Sequence, residues 1–107
     1  MKVISNSSPL IALARINRLD ILQQIFERLL IPDAVYQEII LHCPNRIEKV
    51  RLQHAVDTFI EIGHPRRSHV FSRNLGRGEC AVLNLALEHH PDIVLIDDKR
   101  ARYEARN

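Results

Sequence analysis

The sequence predicts an α/β fold built on a parallel sheet, and three observations carry that expectation. Short apolar runs alternate with amphipathic stretches along the chain, the pattern of βαβ units joined by right-handed crossovers. Residues 93–96, Ile-Val-Leu-Ile, are apolar without interruption, as in central parallel strands buried on both faces. The opening run over 2–5 passes through Asn6-Ser7-Ser8-Pro9 directly into a helix, the strand-to-capped-helix turn from which open α/β sheets build ligand crevices.

Taken in order, Ser8 is placed to cap the first helix, and Pro9 suits its first turn because its missing N–H would have had no intrahelical partner. Leu10, Ile11, Leu13 and Ala14 have helical apolar spacing, and Asn17-Arg18 marks a turn before a short helix over 19–26. Residues 29–31 form a second apolar run, stopped by Pro32 and followed by a helix with Val35, Tyr36, Ile39 and Ile40 on its core-facing stripe. Asn45 can cap a helix over 46 to about 55, in which Ile47, Val50 and His54 share the side expected to be buried. Phe59-Ile60-Glu61-Ile62 alternates and closes at Gly63, which predicts an edge strand. Residues 64–73 lack periodicity and read as an exposed basic loop. The longest helix opens at 75–79 and runs to about His89, with Val82, Leu83, Ala86 and Leu87 as its buried side. After the apolar run over 93–96, Asp97-Asp98 starts a last helix.

At 107 residues there is room for one domain, which is expected to span residues 1–107. A hydrophobic fraction of 46% and a charged fraction of 26% disfavour both disorder and a membrane assignment. No apolar run approaches the roughly 20 residues of a membrane helix, and the N-terminus lacks the layout of a secretion signal, so a cytoplasmic location is expected. Cys43 and Cys80 lack metal-type spacing and read as reduced thiols. The net charge of +2 is concentrated in residues 64–73, with three arginines and no acid, and in residues 99–106. Such local basicity permits an anionic partner.

The candidate chemistry lies in carboxylates at helix starts, within helices and at strand ends. Glu79 shares the stripe of Val82, Leu83 and Ala86, where a charge needs a partner. Glu38 borders the buried face of its helix, and Asp97 and Asp98 follow an apolar strand at its C-terminal end. Carboxylates converging on one crevice repel one another, and a hard divalent cation such as Mg²⁺ or Mn²⁺ relieves that repulsion. The same ion supports phosphodiester hydrolysis. Each residue also has a structural explanation: Glu79 with the helix dipole, Asp97 or Asp98 as a cap, Glu38 as a solvated helix residue, and Asn6 bonded to turn backbone. Arg66, Arg67, Arg73 and Arg77 are either a solvated surface or contacts to a polyanion.

Four blocks occur in order: Asn6-Ser7-Ser8-Pro9-Leu10-Ile11-Ala12-Leu13; Ile31-Pro32-Asp33-Ala34-Val35-Tyr36-Gln37-Glu38-Ile39; Leu75-Gly76-Arg77-Gly78-Glu79-Cys80-Ala81; and Leu95-Ile96-Asp97-Asp98-Lys99-Arg100-Ala101-Arg102. In these the chain resembles PIN-domain proteins, in particular the DUF3368-type group related to VapC toxins. The resemblance implies a three-layer α/β/α sandwich with a parallel sheet of about four strands. It also implies a Mg²⁺- or Mn²⁺-dependent ribonuclease acting as the toxin of a toxin–antitoxin pair, with RNA as substrate and a small antitoxin as partner. On the same basis Asn6 stands where most members carry their first aspartate, Glu38 matches the second acid and Glu79 the third. Asp98 matches the strand-end aspartate with Asp97 beside it, and Ser8 matches a small hydroxyl residue near the first acid. The family pattern usually continues through another strand and helix, so an uncovered edge beyond residues 93–96, and with it a homodimer or dependence on a partner, is expected. An alternative from a different class is a PIN-like binding or assembly module without catalysis.

Overall fold

The computed structural model describes residues 2–65 and 77–96, without the side chains of Arg77 and Glu79. Its strands are β1 (Val3–Ser5), β2 (Leu29–Pro32), β3 (Ile60–Gly63) and β4 (Ile93–Leu95). Its helices are α1 (Ser7–Arg15), α2 (Asp20–Phe26), α3 (Asp33–Tyr36), which continues as a π-helical turn over Gln37–Leu41, α4 (Arg46–Thr58) and α5 (Arg77–His89). All pairings are parallel, in the order β3-β2-β1-β4, as the alternation of strands and helices predicts.

That order locates the crevice. From β1 the chain steps to β2 and β3 in one direction, then returns to place β4 on the other side of β1. Right-handed crossovers therefore put α1 and α4, which pack on each other, on one face, and α5, which packs on β1 and β2, on the opposite face. The order reverses between β1 and β4, the kind of place where open α/β sheets bind ligands at strand C-termini. Lys2 anchors this junction from below: its N–H donates to Asp92 Oδ2 (2.8 Å), and its carbonyl accepts from the N–H groups of Asp92 and Ile93.

Register fixes which residues meet at the upper edge. Ile4 is level with Leu30 and Val94, and Pro32 is level with Gly63. Carried two residues past Ile4, this puts Asn6, Pro32, Gly63 and Ile96 in one row. At Gly63 the Leu85 side chain of α5 packs close to the sheet, since a Cβ there would lie 3.1 Å from Leu85 Cδ2 and 3.2 Å from Leu30 Cδ1.

Four sequence expectations are corrected. The first helix begins at Ser7 with extended Asn6 in the capping position, so Ser8 is its second residue and exposed. The Asn6 N–H completes the sheet by donating to Leu95 O (3.0 Å), and the helix starts two residues sooner than a Ser8 cap implies.

In α4, which reaches Thr58, Asn45 caps as predicted, its side chain accepting from Glu48 N–H at 3.0 Å. The buried residues are nevertheless Leu52 and Ala55, while His54 is exposed and Ile47 and Val50 are 62% and 64% exposed. The cause is polar: Glu48 pairs with Arg15 (3.0 Å), and Arg51 Nη1 donates to Ala14 O (2.9 Å), occupying a carbonyl of α1's last turn. Those two anchors turn α4 so that Ile47 and Val50 face outward.

On α5, Val82 and Leu83 are buried and Ala86 partly so, but Leu85 is fully buried and Leu87 is exposed. The contact of Leu85 with Gly63 sets that rotation. Finally, β4 is not central in the described sheet. Among the described residues it pairs only with β1 and is half-buried, because an apolar run of this length looks the same at an edge. The last helix, over 99–106, and the loop over 66–73 lie outside the described residues.

These orientations make a contrast measurable by urea unfolding. Leu52→Ala is expected to cost about 2–5 kcal/mol, whereas Ile47→Ser should change stability by no more than about 0.5 kcal/mol. Comparable losses in both variants would mean that α4 packs the other way round.

Candidate active site at the upper edge of the sheet

Asn6 ends β1 in the row just described and is 2% exposed. Its backbone is used on both sides: the N–H binds Leu95 O, and the carbonyl accepts from Ser5 Oγ at 2.9 Å. Its side-chain Oδ1 is buried and has no hydrogen-bond partner among the described residues. It makes no cap bond. The structural reading of Asn6, a side chain tied to the turn, is therefore not what is observed. A buried amide acceptor without a partner costs about 1–3 kcal/mol, and such atoms call for an explanation, an ion among them.

Beside it, Ser7 Oγ donates to Glu38 Oε2 at 2.7 Å, a short charge-assisted contact between residues 31 apart in sequence. Glu38 lies in the π-helical turn, which His42 closes by donating from its N–H to Gln37 O (3.1 Å). The wider turn buries Val35, Ile39 and Ile40 together and leaves Glu38 half-buried, facing α1. Single π-turns inside helices recur at functional sites.

The other face of the Glu38 carboxylate meets Gly78, in the first turn of α5. A Cβ on Gly78 would overlap Glu38 Oε1 and lie 3.1 Å from its Cδ, so the carboxylate occupies space that only glycine leaves. Glu79 follows Gly78 directly, which brings its backbone to the same junction of α1, the π-turn and α5. Ser8 lies apart from the Glu38 contact and, with Pro9, Ala12, Leu95 and Ile96, lines a cleft of about 300 Å³ beside the end of β4.

The structure thus brings together Asn6, Glu38 and the start of α5. Asp97, Asp98, Arg66, Arg67 and Arg73 lie outside the described residues, as do the side chains of Glu79 and Arg77. Within the described residues no three His, Cys, Asp or Glu side chains form a metal-type group. The donor set nonetheless fits a hard cation: a buried amide oxygen without a partner and a positioned carboxylate are both oxygen ligands. Neither Cys43 nor Cys80 is part of a disulfide among the described residues.

Ser7 and Gly78 are the residues that the sequence patterns do not single out. For Gly78 a signal existed, since glycine inside a helix is disfavoured by about 1 kcal/mol relative to alanine and needs a reason. For Ser7 none did, because its partner is distant in sequence.

Gly78→Ala should be as stable as the wild type to within about 1 kcal/mol, because the group it displaces is the end of a flexible side chain. Its manganese affinity should nevertheless fall by about tenfold or more, and Ser7→Ala should lower it in the same way. Calorimetric titration reads both effects, and unchanged affinity in both variants would remove Glu38 from the site.

No described helix is long and apolar enough to cross a membrane. Among curated proteins and among solved structures, none matches this chain significantly. A family model described as a PIN domain, DUF3368, matches residues 2–107. With a four-stranded parallel sheet between helices and polar groups gathered at its upper edge, the chain belongs to this family of PIN domains, a nuclease fold.

Proposed function

We propose that the chain is a metal-dependent endoribonuclease that hydrolyses RNA phosphodiester bonds, with Asn6, Glu38, Glu79 and Asp98 as its catalytic residues. The observation that carries this reading is the buried Oδ1 of Asn6, without a hydrogen-bond partner among the described residues, adjoining the Ser7–Glu38 hydrogen bond. Glu38, Glu79, Asp97 and Asp98 would hold Mg²⁺ or Mn²⁺, with the Asn6 carbonyl as a further oxygen donor. When bound, such an ion stabilises charge building on a phosphoryl oxygen and favours deprotonation of water.

The chain's own residues do the rest. Ser7 holds Glu38 in one orientation through Oε2, so no reorganisation of that carboxylate is needed during reaction. Asn6 orients the cation or the attacking water from a position closed to solvent. Ser8, Arg66, Arg67, Arg73 and Arg77 contact the RNA backbone, where positive charge supplies most of the sequence-independent affinity.

The finer biological role belongs to the same proposal. The resemblance of the four sequence blocks to VapC-type toxins supports action as the toxin of a toxin–antitoxin pair in the cytoplasm, with a small antitoxin as partner. Assembly as a homodimer is supported by β4, which lies at the edge of the described sheet, where a second chain can add. The reading treats residues 1–107 as one catalytic domain.

Cleavage of single-stranded RNA should require added Mg²⁺ or Mn²⁺, and Glu79→Gln or Asp98→Asn should reduce it by about two orders of magnitude or more while thermal unfolding stays cooperative. Equal cleavage by the wild type and both variants would sink the assignment. Absence of both cleavage and manganese binding in the wild type would favour a PIN-like binding or assembly module instead.

A further inference from the structure

The row at the upper edge of the sheet continues past the candidate site. One residue beyond Pro32 and Gly63, which are level in the register, stand Asp33 and His64. His64 Nδ1 lies 3.6 Å from Asp33 Oδ2, longer than a hydrogen bond and a charge pair when the imidazole is protonated, with the two side chains 74% and 42% exposed. Adjacent strands are about 4.8 Å apart, so the end of β3 lies about 10 Å from the end of β1, on the same side of the sheet as Asn6. Because Nδ1 faces Asp33, the other ring nitrogen, Nε2, is directed away from the carboxylate. A protonated imidazole in that position presents an N–H and a positive charge at the rim of the crevice.

We propose that His64, oriented by Asp33, is a binding residue for a phosphate of a single-stranded RNA chain, about two strand widths from Asn6. This rests on the ribonuclease reading for the identity of the ligand. The bland alternative is an exposed ion pair that does nothing, since such pairs contribute little to stability.

The test is fluorescence anisotropy with a labelled single-stranded RNA of about ten nucleotides, at about pH 6, with chelator present so that binding is read without cleavage. His64→Ala should weaken binding about three- to tenfold and lower the slope of log affinity against log salt by about 0.7, the value for one lost contact to single-stranded phosphate. His64→Arg should restore the affinity. Asp33→Asn separates positioning from simple charge: removing an acid from an RNA-binding surface should by itself tighten binding, so weaker binding identifies Asp33 as the group that orients His64. Wild-type affinity and slope in His64→Ala, or tighter binding in Asp33→Asn, would overturn the proposal. A parallel cleavage assay with Mn²⁺ keeps the two readings apart. RNA binding that depends on His64 without any cleavage would retain this site and remove the nuclease, whereas cleavage by a wild type whose binding ignores His64 would do the reverse.

Discussion

A side-chain carbonyl oxygen, Asn6 Oδ1, is buried at the end of the first strand with no hydrogen-bond partner among the described residues, and the upper half of the molecule is arranged around it. Leaving such an acceptor unsatisfied costs about 1–3 kcal/mol, a sizeable part of the stability of a small domain. The groups that could have relieved it are committed elsewhere: Ser5 Oγ donates to the Asn6 backbone carbonyl, and Ser7 Oγ donates to Glu38. Neither hydroxyl turns toward the amide. A buried polar atom without a partner among the described residues is a feature of ligand-binding positions that a purely structural turn does not need.

The approach of Glu38 to α5 is the second constraint, and it depends on backbone rather than charge. The carboxylate is held between Ser7 on α1 and Gly78 on α5, elements on opposite faces of the sheet. Only a residue reaching over the top of the strands can touch both. The α3 segment does so because it starts directly at the end of β2 and then widens into the π-turn, with Ile39 and Ile40 inside and Glu38 directed to α1. The absent Cβ of Gly78 makes the room. A helix of ordinary pitch with alanine at position 78 would seal the same core but would have no place for the acid.

How much of this was legible in the sequence depends on the range of the interaction involved. Strands, parallel pairing and the Asn45 cap rest on local pattern, and the structure agrees with them. The outward face of α4 was not legible, because the apolar spacing of Ile47 and Val50 says nothing about Glu48 and Arg51 being drawn to the end of α1. Likewise the run over 93–96 has the composition of a central strand, and its place at an edge of the described sheet was expected from family likeness and not from its own pattern. Glu38 could be read as a border residue of its helix, whereas its tie to Ser7 spans 31 residues and leaves no trace in spacing. The positions of Asn6 and Glu38 as site residues came from family likeness joined to the strand-end rule. What the structure adds is the reason that each can serve.

Asparagine at position 6 also has a physical consequence for how the proposed cation site tolerates being empty. At 2% exposure an aspartate there would be a nearly water-free charge, which folding could accommodate only with a bound cation or by taking up a proton. The amide keeps an oxygen donor at the same point while removing that charge, and with it the repulsion toward Glu38. The unpaired neutral acceptor costs far less than an unpaired carboxylate would. The residue thus exchanges some attraction for a divalent ion for a fold that does not depend on one. The remaining acids of the proposed set, Glu38, Glu79, Asp97 and Asp98, then have to supply the charge that holds the cation. For Glu38 that places weight on its orientation, because a carboxylate that swings away contributes little to a site already short of one negative charge. The Ser7 hydroxyl on one side and the bare backbone of Gly78 on the other restrict that swing, which gives the two uncharged residues a larger part in cation binding than their chemistry alone would indicate.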